Sequence, residues 1–144
     1  MGSGTHLGFD FGLRRIGVAV GEAMLGSARP LLTLPARAGQ PDWQRLQALL
    51  REWQPVALVV GIPRHADGSD STMTAPAQDF ARSLQARFDL PVHLVDERLS
   101  SHAAERELAE RGRGGARLAR RPDVVDSLAA AIILETWFAE RPHD

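Results

Sequence analysis

Apolar positions recur in two rhythms along the chain. In Leu7-Gly8-Phe9-Asp10-Phe11-Gly12 and Ile16-Gly17-Val18-Ala19-Val20 a large apolar residue stands at every second position with a small or polar one between, the period of a strand. Leu13-Arg14-Arg15 joins them as a hairpin. Residues 30–35 form a short third strand bounded by Pro30 and Pro35, which cannot donate ladder hydrogen bonds and so predict an edge or terminal position. The rhythm then changes: Trp43, Leu46, Leu49, Leu50 and Trp53 fall at helical spacing between a start at Pro41-Asp42 and a stop at Pro55. Val56-Ala57-Leu58-Val59-Val60-Gly61 is continuously apolar, as a central strand covered on both faces should be. After the polar stretch 64–71, Ala77, Phe80, Ala81, Leu84 and Phe88 make one helical stripe that ends before Pro91. Val92-His93-Leu94-Val95 is the last predicted strand, delivering Asp96-Glu97-Arg98 to a helix capped by Ser100 or Ser101 and running through Leu108. Residues 124–138 predict a final helix, apolar on most sides and therefore buried.

The order β-β-β-α-β-α-β-α predicts an α/β fold. Its sheet is mixed and five-stranded, a three-strand antiparallel meander plus two parallel strands, with helices on both faces. No internal repeat or break in composition divides residues 1–144, so a single domain is expected, with residues 1–5 as a flexible start. At 144 residues roughly two-thirds of the unfolded surface can be buried, and the core needs no disulfide from a chain that has no cysteine. No apolar run approaches bilayer length and the N-terminus has no signal-peptide pattern, so a cytoplasmic protein without membrane contact is expected.

Composition narrows the chemistry. The net charge of −1 gives no bulk attraction to nucleic acid, so any such partner must be held locally. All 17 basic residues are Arg, which removes lysine nucleophiles, Schiff bases and the P-loop. Gly12 and Gly17 have P-loop spacing, but a strand follows them and no Lys-Ser/Thr does. The five histidines show no metal-ligand spacing, which disfavours zinc, and His93 within its strand reads as structural.

Carboxylates are the anomaly. Asp126 sits in a helix with little use for a charge, and Asp10 sits within a strand, where Asp is depleted. Asp96 and Glu97 follow a buried strand at its carboxyl end, where α/β sheets place their sites. If the first strand, last strand and last helix are neighbours, these acids converge, and convergent carboxylates repel unless hard cations sit between them. Mg²⁺ or Mn²⁺ answers all three anomalies, and two such ions, which can activate a water and stabilise the leaving oxygen, point to a two-metal-type nuclease that hydrolyses phosphodiesters. Arg111, Arg113, Arg117, Arg120 and Arg121, interleaved with Gly112, Gly114 and Gly115, make residues 111–121 an expected mobile cationic loop for a phosphate backbone. Arg14 and Arg15 at the hairpin tip, and Arg98, are weaker candidates of the same kind.

Four motifs carry a resemblance. Phe9-Asp10-Phe11-Gly12 with Arg15-Ile16-Gly17-Val18-Ala19-Val20-Gly21, then Val60-Gly61-Ile62-Pro63 with Asp67-Gly68, then Asp96-Glu97-Arg98-Leu99-Ser100, then Asp126-Ser127-Leu128-Ala129-Ala130 with Ile133-Leu134, stand in the order found in the YqgF family. The chain resembles that family of bacterial pre-16S rRNA nucleases, also described as Holliday-junction-resolvase-like, from about residue 5 to about residue 140. The resemblance implies an RNase H-like fold and a catalytic, metal-binding set of Asp10, Glu97 and Asp126, selecting Glu97 over Asp96. It also implies Mg²⁺ or Mn²⁺ and, as partners, precursor 16S rRNA and the small ribosomal subunit. The family usually has a lysine two to four residues before its last Asp; here Pro122, Asp123 and Val124 stand there, with Arg120 and Arg121 the nearest basic residues. Asp123 and Asp126 form a D-x-x-D on one helix face, as in related junction resolvases, which makes Asp123 a candidate fourth ligand. The substrate contacts expected are Arg14, Arg98, Arg113, Arg117, Arg120 and Arg121, on a monomer or weak homodimer. A resolvase of branched DNA, which needs a dimer, and a non-catalytic ribosome-assembly factor are the competing readings. An actin-like ATPase would need two such domains, and the chain has room for one.

Overall fold

The computed structural model describes residues 4–97 and 122–140. The chain order is β1 (Thr5–Asp10), β2 (Arg15–Glu22), β3 (Ser27–Arg37), β4 (Gln40–Pro41), α1 (Trp43–Trp53), β5 (Ala57–Ile62), α2 (Thr74–Phe88), β6 (Val92–Asp96) and α3 (Pro122–Glu140). The helix expected through Leu108 falls outside the described residues, as do residues 1–3 and the cationic loop 111–121.

The sheet is mixed, ordered β4-β3-β2-β1-β5-β6, and has six strands where the sequence predicts five. The extra strand is the two-residue β4, whose Pro41 and Gln40 pair with Ala36 and Arg37. Ala38 (φ 52°) and Gly39 (φ 82°) both take left-handed backbone there and fold the chain back on itself. The antiparallel meander β1-β2-β3 and the parallel set β1-β5-β6 meet at β1, which pairs with β2 on one side and β5 on the other.

β3 runs through both prolines that were expected to bound it. Most of it lies beside β2 alone, since β4 covers only Ala36 and Arg37, so a missing N–H has an open side to face. The register also shifts between Val18 and Ala19, where Val18 pairs with Leu32 and Ala19 with Pro30, a bulge that absorbs the proline.

The two faces of the sheet are built differently. Leu7 and Phe9 of β1, Ile16, Val18 and Val20 of β2, and Leu58, Val60 and Ile62 of β5 form the large apolar face. They pack against Leu46, Leu49 and Leu50 of α1 and Ala77, Phe80 and Leu84 of α2 in one core. α1 is capped by Asp42, whose carboxylate accepts the N–H groups of Gln44 (3.1 Å) and Arg45 (3.3 Å).

The opposite face carries Gly8, Gly17, Ala19, Gly21 and Gly61, and α3 lies down on it. A Cβ on Gly8 would meet Leu134 Cβ at 2.9 Å and the Ala130 carbonyl oxygen at 3.0 Å. One on Gly17 would meet the carbonyl oxygen of Asp126 at 2.0 Å. Asp126, Ala130 and Leu134 are successive i, i+4 positions, so a single line along α3 rests on the stripped strands. The Glu135 carboxylate accepts the backbone N–H of Ala28 at 3.1 Å and ties the helix to β3. At the far end Trp137 stacks on His93, with ring centroids 4.5 Å apart, and also faces His6 at 5.2 Å.

Candidate active site

β1, β5 and β6 run parallel, so their carboxyl ends open on one edge of the sheet. Asp10 is the last residue of β1, and Glu97 follows directly on β6. Asp126 reaches the same edge from α3. Its backbone is seated on Gly17, and Gly17 is the cross-strand partner of Asp10 in the β1–β2 register. Gly61 prepares the remaining place: a Cβ there would come within 2.8 Å of Glu97 Cγ and 3.0 Å of Glu97 Oε1, so its missing side chain is the space that the Glu97 side chain occupies.

Asp10, Glu97 and Asp126 are thus brought together, although they are separated by most of the chain. The residue surface of Asp10 is partly accessible, yet its carboxyl is held well above the ordinary range. Loss of water by burial is the largest cause; a hydrogen bond with Glu97 comes next, then the charges of Glu97 and of Asp126. A proton kept on Asp10 lets it hydrogen-bond to Glu97, and that proton relieves the same repulsion that a hard cation would relieve. Asp96, the last residue of β6, pairs in register with Ile62 and is not among the groups that act on Asp10.

Asp126 is held from a second direction. Arg15 Nε donates to its Oδ2 at 2.9 Å, across a separation of 111 residues. The Arg15 side chain is 47% exposed and that of Asp126 22%. Among the described residues no three Asp, Glu or His side chains stand close enough, as they are placed, to hold one metal ion. The donor chemistry, oxygen ligands around a desolvated acid pair, nonetheless fits Mg²⁺ or Mn²⁺ and excludes a soft-metal site.

The other sequence candidates divide in two. Arg14 is described and exposed, and its carbonyl accepts the Ala36 N–H at 2.8 Å, so the hairpin tip is docked on β3. The side chain of Asp123, and Arg98, Arg113, Arg117, Arg120 and Arg121, lie outside the described residues. Sequence reasoning gave Arg15 too little weight and passed over Gly17 and Gly61. The signal for Gly17 was present in the large-small alternation of residues 16–21, because small residues at every second strand position mark a face on which another backbone lies close.

A family model described as "RuvX: Holliday junction resolvase" matches residues 4–140, nearly the whole chain. The chain belongs to the RuvX family. This is the family that the four motifs, read as YqgF-like, lead one to expect. A Pseudomonas paraeruginosa protein named "Putative pre-16S rRNA nuclease" is 54% identical over 138 residues, covering 95% of this chain and 93% of its own. A Coxiella burnetii protein of the same name is 47% identical over 138 residues, covering 96% and 94%. Among solved structures, Thermus thermophilus RuvC in complex with a Holliday junction substrate superimposes with TM-score 0.58 at 21% identity, over 94% of this chain and 93% of that one. The fowlpox virus Holliday junction resolvase follows at TM-score 0.54 and 11% identity, over 94% and 97%. Both likenesses show that this RuvX family member has an α/β fold resembling those of the two resolvases. None of its described helices is long and apolar enough to cross a membrane.

Proposed function

We propose that the chain is a metal-dependent nuclease that hydrolyses RNA phosphodiester bonds at the 5′ end of precursor 16S rRNA, in the cytoplasm during ribosome biogenesis. One observation carries the reading: at the carboxyl edge of the sheet, a half-buried Asp10 shares a hydrogen bond with Glu97 within the field of Asp126. A structural role gives no reason to gather three acids where each destabilises the others. Membership of the RuvX family and the names of its relatives supply the substrate class.

Asp10 and Glu97 would hold Mg²⁺ or Mn²⁺ as a pair, with Asp126 as the third ligand and Asp123 as a fourth. Bound there, the cation would supply an activated water and would neutralise the charge that develops on the leaving oxygen. Asp10, whose carboxyl is raised, must lose its proton to ligate, so affinity for a cation would rise with pH. Gly61 leaves space for the Glu97 side chain, and Gly17 lets the Asp126 backbone seat directly on β2. The arginines of residues 111–121, with Arg14 and Arg98, bind the RNA backbone through phosphates, which positions a strand without reading its sequence.

The test is cleavage of a labelled 16S 5′-leader RNA beside a four-way DNA junction, with Mn²⁺, Mg²⁺ or chelator, for wild type and Asp10→Asn. Metal-dependent cutting of the RNA that disappears in the variant is the expected result. Cutting of the junction alone moves the substrate to branched DNA. RNA binding without cleavage, even with immature small subunits added, leaves an assembly factor.

A further inference from the structure

Arg15 is a side-chain partner of Asp126. Its guanidinium spends one donor, Nε, on Asp126 Oδ2, and among the described residues none of its other donors is engaged. A guanidinium carries five N–H donors in a planar fork suited to phosphate, so Arg15 has most of that capacity left, on a side chain that is 47% exposed. It stands at the start of β2, two residues before Gly17, and strand alternation therefore puts it on the α3 face beside the acids. Of the three acids, the one tied to Arg15 is also the one that does not share the Asp10–Glu97 hydrogen bond. The described acids, as placed, do not close around one ion.

We infer that Arg15 is an exchangeable counter-ion: it holds Asp126 apart from the Asp10–Glu97 pair until a divalent cation takes its place, and the released guanidinium then binds a phosphate of the RNA. The inference rests on the proposed metal-dependent nuclease. The exchange keeps both charged groups partnered. Asp126 trades a guanidinium for the cation, and the guanidinium trades a carboxylate for a phosphate oxygen, so neither is left unpaired.

The consequence is a pair of effects with opposite sign. Arg15→Gln removes both a competitor for Asp126 and a positive charge beside the cation, so Mn²⁺ binds more tightly, by about threefold or more as read by calorimetry without RNA. The same change removes a phosphate donor, so KM for Mn²⁺-dependent RNA cleavage rises about tenfold, the size of one charge-assisted hydrogen bond. Arg15→Lys keeps the charge but loses the fork; its Mn²⁺ affinity stays near wild type while KM still rises. A residue needed only for the fold would move both quantities towards weaker binding. Mn²⁺ affinity unchanged or weakened in Arg15→Gln, with wild type binding the metal normally, overturns the exchange and leaves the nuclease reading intact. Wild type that binds no Mn²⁺, and does not differ from Asp10→Asn, overturns both.

Discussion

A methyl group placed on Gly17 would stand 2.0 Å from the carbonyl oxygen of Asp126 and 2.3 Å from its carbonyl carbon. Both neighbours are backbone of a buried helix, which has no rotamer to change. Gly17→Ala must therefore lift the first turns of α3 off β2. We expect a stability loss of about 3 kcal/mol, the upper range for overpacking, in urea denaturation. RNA cleavage should fall about a hundredfold, since a displacement of about 1 Å at a reacting group costs that much.

Gly61→Ala tests the other seat and should behave differently. The atoms that a Cβ would meet are Ile133 Cδ1 at 2.5 Å and the Glu97 side chain from 2.8 Å, all in side chains that can turn aside. The stability cost should stay near about 1 kcal/mol. Glu97 gives way, so kcat should drop about tenfold with little change in KM for RNA.

Asp10 makes stability and activity oppose each other. Its carboxyl is raised above the ordinary 3.8, so between that value and its folded value the native state binds the extra proton. The stability contribution is complete below about pH 4 and is lost as pH rises towards the folded value. Asp10→Asn abolishes this loss. With chelator present, the variant should gain stability relative to wild type on going from about pH 4 to about pH 7, while cleavage disappears. Adding Mn²⁺ at about 100 times its Kd should stabilise wild type by about 2.7 kcal/mol and leave Asp10→Asn nearly unmoved.

Asp42→Ala is the control for damage remote from the acids. It deletes the side chain that accepts the Gln44 and Arg45 N–H groups at the start of α1, on the sheet face opposite α3. Loss of the cap should cost about 1 kcal/mol in thermal or urea unfolding and leave kcat and KM for RNA cleavage unchanged.

The fold was legible wherever a pattern had one physical cause. Helical spacing between Asp42 and Pro55 gave α1 with its capping residue, and the all-apolar run at residues 56–61 gave the central β5. β4 was not legible, because two residues carry no period and the turn before it depends on Ala38 adopting a left-handed backbone that its side chain does not favour. Asp10 and Asp126 stand out because a carboxylate in a strand or a buried helix is costly, and cost is visible in sequence, whereas only the family motif separates Glu97 from Asp96. Arg15 was harder: its neighbour Arg14 has the same charge and the same loop, and only the strand register decides which of the two faces α3.

The Arg15–Asp126 pair spans 111 residues, and it has a consequence for the chain while it is being made. Strands β1 to β3 can pair as a local meander early in synthesis, which leaves Asp10 at an edge with neither acid neighbour. Until α3 has emerged, the glycine-lined face lacks the helix that packs on it, and Asp126 is missing from the sheet edge. The three acids therefore come together only once α3 is seated on the sheet, so this edge is the last part of the described fold to be completed.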